Sequence, residues 1–202
     1  MILTPQELPW TLASASPRRL RLLRQVGIEP RVIPADIDEE NGGSPPERAA
    51  LENARRKAVA VRDRVENGIL LAADTVVILD GESLGKPVDA AEAERMLARL
   101  SGRTHEVITA FSLLWVERGL EMEDSERTQV KMRTLPTCEI ERYVATGEPF
   151  DKAGAYGIQG AAAAFVERVE GCYFNVVGLP ISRILGHVSR WVGEYVEDQR
   201  GA

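Results

Sequence analysis

The sequence predicts a mixed α/β sheet with flanking helices, and three observations carry that reading. Apolar, β-prone runs alternate with amphipathic helical stretches, as where Trp10–Ala13 is followed by Pro17–Val26. The run Ile69-Leu70-Leu71-Ala72-Ala73 is apolar throughout, as in a strand covered on both faces. Turn signals at Asp80-Gly81 and Arg118-Gly119 interrupt strict strand–helix alternation, so the sheet is not purely parallel.

The first strand is read at Trp10-Thr11-Leu12-Ala13. Pro17 suits a first helical turn, because its missing N–H costs nothing there and its φ is already helical. Leu20, Leu23 and Val26 recur at helical spacing, and Gly27 supplies a stop. Arg31-Val32-Ile33-Pro34 reads as a second strand, followed by an acidic loop with Asp36, Asp38, Glu39 and Glu40, then Gly42 and Gly43. A helix is expected from about Pro46 to Val65, with an apolar stripe through Ala50, Leu51, Ala54, Ala58 and Val61. Asp74 then stands at the end of the apolar strand, with Thr75 beside it, before Val76–Leu79.

Further on, Asp89 caps a helix carrying Ala93, Met96, Leu97 and Leu100, which stops at Gly102. Glu106–Val116 is a long β-rich run, and Gln129–Met132 is expected to pair back with it. A helix near Thr137–Ala145 leads to a Gly-rich stretch, Asp151–Gly160. Phe165, Val166 and Val169 mark another strand. The last helix presents Ile181, Ile184, Leu185, Val188, Trp191, Val192 and Tyr195 on one face, a core stripe.

The chain has 202 residues, enough to bury a real core, and is read as one domain over 1–202. Its net charge of −6 argues against nucleic-acid binding, which needs a basic face. A small anionic ligand is still compatible, since one pocket can be basic on an acidic protein. Neither a signal peptide nor an apolar stretch near the roughly 20 residues of a membrane span is visible. The expected location is the cytoplasm, and Cys138 and Cys172 are expected to be free thiols.

Residues with chemistry cluster in a few places. Ser14, Ser16, Arg18 and Arg19 crowd the point where the first strand feeds a helix N-terminus. Free N–H groups and the positive end of the helix dipole suit a polyanion such as a triphosphate there, while Ser16 also reads as a plain N-cap. Asp74 is expensive to bury unless it meets a metal, a proton donor or a cation; the alternative is a turn cap. Glu39 in the acidic loop is a solvated charge or, with Asp74, a divalent-ion ligand. Lys86, in Gly85-Lys86-Pro87, offers a point charge for phosphate, as does Lys152 at the head of the Gly-rich stretch. Lys57 lies beside Arg55 and Arg56, on what reads as a solvated helix face. Gln159 offers a donor and an acceptor for a nucleobase edge, or for loop backbone. His105 is assigned to packing.

Taken together, Ser14–Arg19, Asp36–Glu39, Ala73-Asp74-Thr75, Gly85-Lys86-Pro87, Ser101-Gly102 with His105-Glu106-Val107, Thr146–Gly160 and Asn175–Pro180 resemble the Maf family. The string from Gly147 to Gly160 is the most specific part, and the resemblance runs in order over about residues 10–185. It implies a fold like that of inosine triphosphate pyrophosphatases, an elongated mixed sheet with two lobes around a deep cleft, and a homodimer. It implies cleavage of a nucleoside triphosphate between the α and β phosphates, with a divalent cation, Mg²⁺ or Mn²⁺. Asp74 matches the family's proton acceptor for the attacking water. Arg18, Thr75 and Gln159 match positions tied to substrate choice, in the pattern of the branch acting on dTTP and UTP rather than on 7-methyl-GTP. Lys57, Lys86 and Lys152 join the phosphate-binding set, and Asp74 with Glu39 the metal set. A non-catalytic nucleotide-binding regulator of cell division is the competing reading. Cys172 and Met132 depart from the commoner Ser and Phe, as packing changes.

Overall fold

The computed structural model describes residues 4–39 and 44–201; Glu40, Gly42 and Gly43 of the acidic loop lie outside them. Among the described residues, seven strands form one mixed sheet. They are β1 (Trp10–Leu12), β2 (Arg31–Val32), β3 (Ile69–Leu79), β4 (Glu82–Leu84), β5 (Thr104–Trp115), β6 (Leu120–Met132) and β7 (Val166–Glu170). Their order is β2-β1-β3-β5-β6-β7, with β4 paired to the far half of β3. The β2-β1-β3 part is parallel; every other pairing is antiparallel. The expected mixed α/β sheet with flanking helices is therefore what the chain forms.

The helices are α1 (Pro17–Gln25), α2 (Pro46–Arg62), α3 (Ala90–Leu100), α4 (Thr137–Val144), α5 (Tyr173–Val177) and α6 (Ile181–Gly201). On one face, α2 buries Ala50, Ala54, Ala58 and Val61 against Leu70, Ala72 and Ala110 of the sheet. The larger core fills the other face, where Leu23, Leu97, Ile140 and Ile184 represent α1, α3, α4 and α6. Asp80 (φ 55°) and Gly81 (φ 82°) make the tight turn from β3 to β4, both in the left-handed region that a primed hairpin turn demands.

Two expectations need correction. Asp74 is not at the end of a strand: β3 runs unbroken through Asp74 and Thr75 to Leu79, because β5 pairs with every residue from Ile69 to Ile78. What ends is the neighbour. β1 pairs with β3 only from Ile69 to Leu71, and β4 rejoins β3 only at Val77. Between those points one edge of β3 is open. Second, β6 spans thirteen residues rather than four. Its Glu- and Asp-rich half carries little β-propensity, and the full-length ladder with β5 imposes the strand.

Candidate functional site

The open edge of β3 is the floor of a cavity of about 390 Å³. Side chains alternate across a strand, so Asp74 and Thr75 point to opposite faces of the sheet. Both reach the same cavity because no strand covers β3 there. The β1–α1 connection walls one side, and residues 151–159 and 176–178 wall the other. All eleven candidate residues line it: Ser14, Ser16, Arg18, Arg19, Glu39, Lys57, Asp74, Thr75, Lys86, Lys152 and Gln159.

On the α2 face, Asp74 is 7% exposed. A lone buried carboxylate is prohibitive, so its partners are decisive. Oδ1 accepts from Lys57 Nζ at 2.7 Å, and Oδ2 accepts from Asn53 Nδ2 at 3.3 Å. Lys57 also donates to Glu39 Oε1 at 2.6 Å and to the Ala73 carbonyl at 3.5 Å. The reading of Lys57 as a solvated residue is therefore overturned. It is buried, in register with the α2 stripe, and serves as the counter-ion of two carboxylates. Burial pushes the Glu39 carboxyl up, but the Lys57 ammonium, helped by Lys86 and Arg19, holds it below its ordinary value. Asn53 was not among the candidates; a polar residue four positions before Lys57 in an apolar stripe is the signal that marks it.

On the opposite face, Arg19 is buried and clamps the floor. Nε donates to the Gly178 carbonyl (3.0 Å) and Nη2 to Thr75 Oγ1 (3.0 Å). Nη1 donates to both the Ala73 carbonyl (2.8 Å) and Ser14 Oγ (3.1 Å). Of five N–H groups one remains, so Arg19 is more brace than free phosphate ligand. Burial pulls its guanidinium down from its ordinary value, with the Asp74 and Glu39 carboxylates acting the other way. Ser16 caps α1 by accepting from Arg19 N, and Ser14 Oγ accepts from Ser16 N at 3.2 Å.

The rim is cationic. Arg18 pairs with Asp151 at 3.0 Å, and Lys152 donates to Asp151 and to the Glu148 carbonyl, both at 2.6 Å. Exposed Lys86 and Gln159 make no side-chain hydrogen bond or ion pair among the described residues, which leaves both open to a ligand. The Gly-rich stretch is shaped by crowding. A Cβ on Gly160 would meet Glu148 Oε1 at 2.0 Å, and one on Gly154 would meet Val77 Cγ1 at 2.9 Å. Tyr156 lines the cavity and bonds His105 Nε2 at 2.7 Å from behind. Desolvation lowers the His105 pKa to about 4, so the ring is a neutral packing partner, as its assignment to packing anticipated.

Among the described residues, no three His, Cys, Asp or Glu side chains converge as a metal cage. Glu39 and Asp74 do converge, on one ammonium. Two carboxylates are the donor set for a hard divalent ion that brings phosphate oxygens and water as its other ligands.

The match to a family model now decides the relationship: the model described as Maf-like protein covers residues 9–191. The chain belongs to the Maf family. Curated relatives match along nearly their whole length. The protein of Syntrophomonas wolfei named dTTP/UTP pyrophosphatase is 51% identical over 180 residues, covering 89% of this chain and 95% of its own. That of Symbiobacterium thermophilum, with the same name, is 52% identical over 85% of this chain and 88% of its own. The Geobacter sp. protein, again so named, is 51% identical over 86% and 91%. Among solved structures, the Staphylococcus aureus Ham1 protein superposes with a TM-score of 0.44 and 18% identity, over 61% of this chain and 71% of that one. No helix among the described residues is long and apolar enough to cross a membrane.

Proposed function

We propose that this chain is a nucleoside triphosphate pyrophosphatase that hydrolyses dTTP and UTP, and modified pyrimidine triphosphates of the same edge chemistry, to the monophosphate and pyrophosphate. The observation that carries the reading is Asp74, a buried carboxylate clamped by Lys57 and Asn53 on the floor of a cationic cavity. Relatives at about half identity bearing the name dTTP/UTP pyrophosphatase support the substrate class.

In this reading the triphosphate lies across the rim, where Arg18, Lys86 and Lys152 offset its charge, next to the N-terminus of α1. Glu39, with Asp74 beside it, would hold a Mg²⁺ or Mn²⁺ ion arriving with the nucleotide. When bound, that ion neutralises charge on the phosphate oxygens and favours deprotonation of water. A water oxygen attacks the α-phosphorus as the bond to the bridging oxygen of the β-phosphate breaks. Asp74 takes the water's proton, and pyrophosphate leaves with the electron pair. Lys57 orients Asp74 by fixing Oδ1, leaving Oδ2 with only the longer bond from Asn53. Gln159, free at the cavity wall, reads the pyrimidine edge. The same reading makes the chain a one-domain cytoplasmic homodimer that clears the nucleotide pool.

The test is a panel of nucleoside triphosphates with Mg²⁺ or Mn²⁺, following monophosphate and pyrophosphate. Release from dTTP and UTP with little from purine triphosphates is the expected result. Release from 7-methyl-GTP instead overturns the branch assignment. Binding without release from any of them transfers the case to the regulator reading.

A further inference from the structure

The hydroxyl of Thr75 is locked as a hydrogen-bond acceptor through Thr109 and Asn175, neither of which lines the cavity. The lock is read from the far end. The Asn175 backbone carbonyl can only accept, and Thr109 Oγ1 donates to it at 2.9 Å. A threonine has one hydroxyl proton, so the Thr109 proton is committed there. The 3.0 Å contact between Thr75 Oγ1 and Thr109 Oγ1 therefore has Thr75 as donor. That commits the Thr75 proton as well. Arg19 Nη2 then fills one lone pair of Thr75 Oγ1 at 3.0 Å. One lone pair is left.

The lock is rigid. Thr109 and Asn175 are both fully buried. The Asn175 side chain accepts from Thr109 N at 2.9 Å and donates to the Val107 carbonyl and Thr128 Oγ1 at 2.9 and 2.8 Å. The ring closes on itself. Gly178 N donates to the Asn175 carbonyl at 3.0 Å, and the Gly178 carbonyl accepts from Arg19 Nε at 3.0 Å. No hydroxyl in this ring can turn its proton toward the cavity without breaking a buried bond.

We infer that Thr109, through this ring, is a specificity-positioning residue: it makes Thr75 an acceptor-only group that selects the N3–H of uracil and thymine against the bare N3 of cytosine. The inference rests on the hydrolase reading above. It accounts for one pocket taking both dTTP and UTP, since the two bases share N3–H and differ only at C5. A cytosine would set a lone pair against a lone pair, and sites built around a hydrogen bond reject such analogues strongly.

The experiment measures kcat/KM for UTP and CTP in the wild type, Thr109→Val and Thr109→Ser, with circular dichroism as the folding check. Valine is isosteric and frees the Thr75 proton to donate. The expected result is a UTP:CTP ratio that falls at least about tenfold in Thr109→Val, chiefly because CTP turnover rises, and is kept in Thr109→Ser. Thr75→Val supplies an independent arm: UTP turnover falls more than CTP turnover, so the UTP:CTP ratio drops. A wild type that turns over UTP and CTP equally overturns the inference, as does a Thr109→Val variant that loses both in proportion. A wild type that hydrolyses no nucleotide overturns the hydrolase reading itself, which is a different result from turnover with an unmoved ratio.

Discussion

Lys57 Nζ lies 2.7 Å from Asp74 Oδ1, with both side chains 9% exposed. Removing one partner of such a buried pair leaves the other charge uncompensated, which costs about 3–5 kcal/mol. Lys57→Met is expected to destabilise the fold by about that amount, measured by urea denaturation. Adding Asp74→Asn should recover part of the loss. Additive losses in the double variant would contradict the pairing.

Asp74→Asn alone keeps the size of the side chain and one acceptor oxygen for Lys57 but removes the base. Turnover of dTTP should fall by about 10²–10⁴-fold, the usual contribution of a positioned acid–base group. The circular dichroism spectrum should be unchanged. Near-normal turnover would refute the assigned role.

Gln159→Glu replaces an amide donor with a charge at the cavity wall. Both dTTP and UTP should lose kcat/KM, with KM rising more than kcat falls. An unchanged preference among pyrimidine and purine triphosphates would show that Gln159 does not read the base.

Gly160→Ala places a Cβ 2.0 Å from Glu148 Oε1, so Glu148 must move. Glu148 accepts from Tyr143 Oη at 3.0 Å and from Ala161 N at 3.0 Å, bonds that shape the segment carrying Gln159. The expected outcome is a loss of about 1–3 kcal/mol in stability and a raised KM for dTTP. Wild-type values for both would mean that the segment tolerates the displacement.

His105 gives a pH dependence with a definite sign. Its folded pKa is about 4, against 6.5 as the ordinary value, because burial penalises the imidazolium. Above pH 6.5 both states are neutral and the full contribution is present. As pH falls from 6.5 toward 4 the unfolded chain takes up a proton that the folded one refuses, so stability drops. Between pH 7 and 5 the loss from this residue is about 2 kcal/mol. The urea midpoint of wild type should fall more over that interval than that of His105→Gln. Parallel curves would refute it.

Much of this architecture is legible in residue order, and the failures share a cause. Helix starts at Pro17 and Asp89, the Asp80-Gly81 turn and the apolar run from Ile69 rest on local chemistry, and each is where the sequence places it. The acidic half of β6, the continuation of β3 through Asp74 and the burial of Lys57 depend on partners far away in the chain. Local propensity is silent on those. Thr109 escapes for a related reason, and Asn53 shows only as a polar break in the α2 stripe. An isolated Thr carries no signal until the sheet brings its hydrogen-bond partners together.

The Arg19 brace reaches a carbonyl 159 residues away, at Gly178. During synthesis the first half of the chain emerges with Asp74 and Lys57 already present, yet without one of the four acceptors that hold Arg19. A growing polypeptide therefore holds an incomplete pocket until residue 178 has cleared the ribosome. The wall formed by residues 176–178 is in place only when the C-terminal segment docks.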